Sequence, residues 1–454
     1  MPLRHITAHH HQSPPYHYGT IAVARVDGTR TSIERRTVTL PSTASEPAGS
    51  GSGQPDLTVT ITRHDTLATV APLWREFQER ALGHPFQRYE FVSAWLEHVG
   101  AGSVAPFICV AETSPGDTVL LLPLGVESGR FTRRLVWLAQ DVSDYTAPLI
   151  EAGFAERLDQ TALMTLWPNV LALAPPVDYL HLAKQVETIG DAANPFFALN
   201  SQPHTCSAYS AELVAPWEDY HAGKRSAKSR RRLREKEKRL ARHGEVRLVF
   251  HTDVCERVRI IEDILRLKSA QFDEIGGRNI FSRPDVQRFF AALVADPAAI
   301  PATPVFTLYA GDTPAAAGFG LIHARRFYYV IPTYRPDVFH NCSAGAILLN
   351  RLLEWSIDQG FTTFDFTLGD EAYKFDWADT ELAIGHALVP LTIKGRMAAA
   401  ARTGWIELKR RVRADARLAG PARGLIRISR RMVGSLSASR IGPDPSGGRG
   451  RDDG

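Results

Sequence analysis

Thr363-Phe364-Asp365-Phe366-Thr367-Leu368, followed by Gly369-Asp370-Glu371-Ala372-Tyr373-Lys374-Phe375-Asp376-Trp377, reads as a strand running into a dense polar and aromatic cluster. Phe364, Phe366 and Leu368 fall on one face of that strand, and Thr363, Asp365 and Thr367 on the other. A carboxylate in the middle of a central strand needs a partner or a purpose. Asp365 therefore either anchors a neighbouring loop or does chemistry. The cluster after it lies at the C-terminal edge of the sheet, where ligands of open α/β sheets collect.

Upstream, the pattern predicts a helix over 344–359, closed by Gly360, and before it a meander of strands over 303–310, 314–322 and 327–333 with a turn at Gly311-Asp312. The free N–H groups and dipole at the start of that helix favour a pyrophosphate. Ser343, Ala344, Gly345 and Ala346 are all small, which lets phosphates approach the backbone. The competing reading is that Ser343 caps the helix and Gly345 relieves crowding.

The same order occurs earlier in the chain. Order begins near Asp56 with the alternating Leu57 to Ile61, then a helix capped by Asp65 with Leu67, Val70, Trp74 and Phe77 at helical spacing. A second helix with Phe91, Trp95 and Val99, strands through Phe107–Val110, Leu120–Gly125 and Leu135–Leu138, a helix over 155–166 and a strand at Asp178–Leu182 follow. Gly116-Asp117-Thr118 matches Gly311-Asp312-Thr313, and Arg130-Phe131 matches Arg326-Phe327. Both pairs flank the same middle strand, so a duplicated α/β unit is expected. In the second half, a helix starts at Ser282 with Asp285 as a capping-box partner.

The 454 residues, 44% hydrophobic and 22% charged, are those of a globular protein and exclude a disordered or fibrous chain. No run of 18 apolar residues exists, and residues 1–30 lack a secretory h-region, so a cytoplasmic protein is expected. Cys109, Cys206, Cys255 and Cys342 are too scattered for a zinc site and read as reduced. His9-His10-His11 lacks partners at ligand spacing, and no metal site is assigned. The net charge of +4 divides into +10 from Lys394 onward and −6 before it, which argues against a DNA-binding body.

The run Phe364-Asp365-Phe366 through Gly369-Asp370-Glu371-x-Tyr373-Lys374 resembles the signature of GNAT-fold acyltransferases, and within them the CelD/BcsL-like branch associated with cellulose and exopolysaccharide biosynthesis. Trp74 with Pro85-Phe86-Gln87 and Trp95, Ser143-Asp144-Tyr145 with Pro148-Leu149-Ile150, and the basic helix Arg230 to Gly244 resemble further blocks of that branch. The resemblance implies an α/β fold of tandem GNAT-like mixed sheets flanked by helices, as in FemAB-type proteins. It divides the chain into an unstructured tail (1–55), an N-terminal GNAT-like domain (56–205), an acyl-CoA-binding C-terminal GNAT domain (206–395) and a basic tail (396–454). It implies acyl transfer from acetyl-CoA or another acyl-CoA to an amine or hydroxyl of a sugar or polysaccharide precursor. Tyr373 becomes the acid for the leaving thiolate, Asp365 or Glu371 the base, and a backbone N–H near Val330 or Ile331 the oxyanion donor. Ser343, Ala344 and Gly345 would hold the diphosphate, and Lys374 a phosphate or an acidic acceptor. The family's phosphate turn falls on His340 to Gly345, where only Gly345 fits the pattern. FemAB-like relatives use aminoacyl-tRNA, so an aminoacyl transferase is the enzymatic alternative and a non-catalytic scaffold the other.

Lys224 to Arg242 carries 11 basic and 2 acidic residues. A single helix over about 217–243 is expected there, as a solvated face, a phosphate site or an RNA contact. In the tail, Met397, Ala401, Trp405, Leu408 and Val412 share a helical face beside Lys409, Arg410, Arg411 and Arg413, and Leu425-Ile426 with Met432-Val433 begins a second piece. That pattern suits an anionic inner-membrane surface, a membrane synthase, or packing back onto the domain.

Overall fold

A computed structural model of the chain describes residues 34–41, 55–275, 279–335, 338–339 and 341–414. The first half builds a sheet from β1 (Arg35–Leu40), β2 (Leu57–His64), β3 (Val104–Glu112), β4 (Thr118–Ser128), β5 (Arg133–Trp137) and β6 (Tyr179–Val186). The second builds a sheet from β7 (Ala208–Glu212), β8 (Val246–Phe250), β9 (Val305–Ala310), β10 (Thr313–His323), β11 (Arg326–Tyr334), β12 (Thr363–Leu368) and β13 (Thr380–Leu382). A last strand, β14 (Ile384–Pro390), returns to the first sheet and pairs antiparallel with β6. The strand orders are β1-β2-β3-β4-β5-β6-β14 and β8-β9-β10-β11-β12-β7-β13, and helices flank both sheets.

The expected repeat is visible in the topology. Each sheet has a three-strand meander, β3-β4-β5 and β9-β10-β11, whose first turn holds Gly116 or Gly311 at positive φ. Each meander is followed by helical structure and then by a parallel strand, β6 beside β5 and β12 beside β11. Helix Ala344–Asp358 ends as expected, with Gly360 at φ +75°.

Several expectations need correction. Residues 35–40, placed in an unstructured tail, form β1. Only Val38 and Leu40 of that strand are buried, which is why an arginine-led edge strand carries so little apolar signal. The expected basic helix is two helices, Trp217–Lys224 and Ala227–Leu240, because Ser226 turns the chain and caps the second through Ser229 N–H at 3.2 Å. Two helices, Ala152–Arg157 and Gln160–Ala172, stand where one was expected. Asp65 pairs with Arg63 and leaves the N-cap to Thr66. The helix expected from Ser282 starts at Pro284, whose fixed φ suits a first helical position. His9–His11, His340 and the stretch 425–433 lie outside the described residues.

A shared core lies between the sheets. It joins Trp74, Phe86 and Tyr145 from the first half to Phe289, Phe319 and Tyr328 from the second, all essentially inaccessible. Tyr328 also hydrogen-bonds His84 Nδ1 at 3.2 Å, so the second sheet's middle is bonded to the first half.

Candidate active site

β11 and β12 pair in parallel only from Arg326/Thr363 to Tyr328/Asp365. Past that point no ladder joins them among the described residues, and the two strands part. On its other side β11 continues against β10, where partners step from Phe319/Ile331 to Gly320/Tyr329. Val330 is thus the extra residue of a β-bulge, at the place where the gap opens. Bulges bend a strand and free backbone groups next to functional sites.

A cavity of about 770 Å³ fills the gap. Tyr329, Val330, Pro332 and Tyr334 form one wall, and Thr367, Leu368, Glu371, Tyr373 and Lys374 another. Ser343, Gly345 and Ala346 close one end at the start of helix Ala344–Asp358. Ser343 sits at the N-cap in the left-handed region, φ +54°, and its side chain does not cap the helix. Its hydroxyl instead accepts from Lys236 Nζ at 2.7 Å. Ala346 N–H bonds back to Ser343 O at 2.9 Å, and the N–H groups of Ala344 and Gly345 ahead of it point to the cavity end as anion donors. A Cβ on Gly345 would meet the Tyr334 ring only at ordinary contact distance, 3.4 Å. Arg232 and Lys236 of the basic helix also line the cavity, which gives an anion both a helix dipole and cations.

The opposite wall is polar and strained. Thr367, β-branched, lies at φ +58°, a conformation that persists only when its surroundings hold it. Its N–H donates to Asp365 Oδ1 at 2.8 Å and its carbonyl accepts from Lys374 Nζ at 3.1 Å. Lys374 is buried and paired with the exposed Glu371 at 2.9 Å. Burial pushes the Tyr373 hydroxyl well above its ordinary pKa, so it stays protonated.

Of the residues expected at the site, the structure brings together Val330, Ser343, Gly345, Glu371, Tyr373 and Lys374 on one cavity. Ile331 and Ala344 turn their side chains into cores on either side of the second sheet. Asp365 lies behind the wall, fully buried. Its Oδ1 also accepts from Tyr145 at 2.7 Å, and its Oδ2 has no hydrogen-bond partner. Burial raises its pKa to about 6. Sequence reasoning missed Lys268, Gln271, Phe272 and Phe281, which face the same cavity from helix Val254–Ile275 and the turn after it. It quoted Asp144 only as part of a block, yet Asp144 crosses from the first half into the cavity.

Residues 227–375 match the family model described as an acetyltransferase (GNAT) domain, and this span contains the bulge, the gap and the free helix start. No curated protein matches the chain. Among solved structures, FemX is 8% identical over 73% of this chain and 96% of its own, with a TM-score of 0.48. A tandem GNAT protein from the clavulanic acid biosynthesis pathway is 12% identical over 78% and 98%, with a TM-score of 0.39. L-PGS from Bacillus licheniformis is 14% identical over 69% and 96%, also with a TM-score of 0.39.

Proposed function

We propose that this chain transfers an acyl group from acyl-CoA to an amine or hydroxyl. One observation carries the reading: the strand gap beside the Val330 bulge and the uncapped helix start at Ser343 share one cavity, inside the span matched by the GNAT family model. A thioester carrier needs both, a slot for its extended arm and a cationic cradle for its diphosphate. Gly345, Ser343, Lys236 and Arg232 fit the cradle, and a backbone N–H at the bulge, near Val330 or Ile331, polarises the acyl carbonyl. Tyr373, protonated and on the wall, gives its proton to the departing sulfur. Lys374 holds the strained Thr367 carbonyl and presents Glu371 to the acceptor.

The resemblance to the CelD/BcsL-like branch makes a saccharide or polysaccharide precursor the acceptor, acetyl the acyl group, and cellulose or exopolysaccharide biosynthesis the setting, at the cytoplasmic face. The division into an N-terminal unit shaping the acceptor side and a C-terminal unit binding the donor belongs to the same proposal. Titration with acetyl-CoA, followed by thermal shift, tests it: a rise in melting temperature with acetyl-CoA is expected. A rise only with aminoacyl-tRNA points to the aminoacyl alternative, and no rise with either to a non-catalytic scaffold. Tyr373→Phe should lower kcat about tenfold or more with acetyl-CoA affinity unchanged. Full activity in that variant removes the tyrosine from the mechanism.

Helix Ile393–Ala414 supports a peripheral contact. No helix among the described residues is long and apolar enough to cross a membrane. The helix rests on the domain through the buried Gly395 and Ala399, while Ile393 and Met397, 75% and 71% exposed, face outward and the sequence beyond them is basic. Co-sedimentation with anionic vesicles is expected for the full chain and should be lost on deleting 396–454. Equal sedimentation of both would reject the anchor.

A further inference from the structure

The cavity has two chemically different ends. Its cationic end, at Ser343, Lys236 and Arg232, suits the donor's phosphates. Its other end is where helix Val254–Ile275 contributes Lys268, Gln271 and Phe272, and where one carboxylate arrives from the first half of the chain. That carboxylate is Asp144, and the loop carrying it is fastened on both sides. Ser143 Oγ donates to Ala139 O at 2.9 Å, and Lys184 Nζ donates to Ser143 O at 2.5 Å. Thr146 N–H and Oγ1 donate to Lys184 O at 2.9 Å and Ala183 O at 2.6 Å. Gln87 Nε2 holds the Tyr145 carbonyl at 3.0 Å, and Tyr145 Oη holds Asp365. Asp144 stands beside Thr367, the residue at the mouth of the strand gap, whose side chain favours its ionised form. A loop so constrained on either side of one acidic residue fixes where its carboxylate stands.

The site's other carboxylates are less suited to take a proton. Asp365 is sealed behind the wall by Tyr145 and Thr367, Glu371 is more than half exposed and paired with Lys374, and Asp376, also more than half exposed, is paired with Arg225 at 2.6 Å. We infer that Asp144 is the catalytic base that takes the proton from the acceptor nucleophile, so that the active site is completed by the first half of the chain. This rests on the acyl-transfer reading above. In the step, the acceptor's lone pair forms a bond to the thioester carbonyl carbon as its proton moves to Asp144. The carbon–sulfur bond breaks, the sulfur leaves with the electron pair and is protonated by Tyr373, Asp144 releases its proton to solvent through the open cavity, and Tyr373 takes one back from solvent to restore the phenol. The net change is acyl-thioester plus acceptor X–H to acyl-X plus free thiol.

The charged groups around Asp144 are consistent with that role. Lys184 from β6 and Lys374 favour its ionised form, while Glu371 opposes it, and burial raises its pKa above the ordinary value, which makes the carboxylate more basic. Asp144 in turn acts on Lys268, whose pKa burial lowers, on His204, lowered likewise, and on Tyr373.

The test compares wild type with Asp144→Asn in the full chain, using acetyl-CoA as donor and two probe nucleophiles, glucosamine and hydroxylamine. Glucosamine's amine is largely protonated at neutral pH, whereas hydroxylamine is already a free, strong nucleophile. Glucosamine turnover is expected to fall at least 100-fold, hydroxylamine turnover by less than tenfold, and acetyl-CoA affinity by less than twofold. Below the glucosamine ammonium's own titration the wild-type kcat/KM profile should fall with a second slope, and the variant should keep only the slope of the substrate amine. Where Asp144→Asn does not fold, Asp144→Glu carries the test: it should keep the second slope with kcat about tenfold lower. Asp144→Asn turning over glucosamine within threefold of wild type, or wild type that binds acetyl-CoA yet transfers to neither nucleophile, overturns the inference. Wild type that fails to bind acetyl-CoA overturns the acyl-transfer reading beneath it.

Discussion

Gly345→Asp should raise the melting temperature and at the same time cut acetyl-CoA affinity at least 100-fold. The two effects have opposite signs because they draw on the same charge. Gly345 is the second residue of helix Ala344–Asp358, whose first turn holds no acidic residue and whose N-cap side chain makes no bond to the helix. A carboxylate there meets the positive end of the helix dipole, worth about 0.3–1 kcal/mol, and replaces the residue with the poorest helix propensity after proline. A Cβ meets the Tyr334 ring at 3.4 Å, ordinary contact distance, so no rearrangement offsets that gain. The donor's diphosphate needs the same N–H groups and the same cations, Lys236 and Arg232. An aspartate would occupy the first and partly neutralise the second. A 100-fold loss corresponds to about 2.7 kcal/mol, within the range of one charge-assisted anion site. Calorimetric titration with acetyl-CoA beside a thermal melt reads both. Undiminished affinity would show that the diphosphate does not sit at this helix start. Gly345→Ala is the control, since a methyl neither carries charge nor reaches the cations.

What could be read from residues alone follows from the range over which each signal acts. The meander, the helix over 344–358 and β12 were legible because their information is local: period-two alternation, Gly-Asp turns and a glycine stop at Gly360. The duplication was legible for the same reason, through Gly116 and Gly311 in equivalent turns. β14's return to the first sheet was not, because Ile384–Pro390 alternates equally well for either sheet and only long-range pairing decides. The break at Ser226 was hidden by a charge run that continues across it. At the site, alternation explains part of the losses. Val330 and Pro332 face the cavity, so Ile331 between them cannot, and Asp365 alternates away from Phe366, while Thr367 reaches the same cavity because its positive φ breaks the alternation. Asp144 stands 227 residues before Glu371 in sequence, and no spacing rule connects the two. Only the docking of one sheet against the other does.

That docking bears on why the chain keeps a buried carboxylate at position 365, and Asp365→Asn should expose its thermodynamic cost. In the folded protein burial lifts the Asp365 pKa to about 6, against about 3.8 for an ordinary aspartate in the unfolded chain. The folded state therefore holds the proton more tightly than the unfolded state. Its contribution is fully present below about pH 4 and is lost as pH rises through about 6. At 1.36 kcal/mol per pKa unit the loss is about 3 kcal/mol by neutral pH. Asparagine does not titrate in this range. Its Oδ1 still accepts from Tyr145 and Thr367 N–H, and its Nδ2 takes the place of an oxygen that is already without a partner. Denaturant unfolding from pH 4 to pH 8 should give a difference between variant and wild type that grows in the variant's favour between pH 4 and 6 and then levels. Other titrating groups cancel in that difference, and parallel curves would mean that Asp365 is not ionised against its burial. The carboxylate's compensation is mechanical: an ionised Asp365 accepts a charge-assisted bond from Tyr145, stronger than the neutral amide's. Tyr145 is the residue next to Asp144. Weakening the bond should therefore leave the fold more stable while loosening the loop that carries the base, a trade of stability against positioning that neither residue reveals alone.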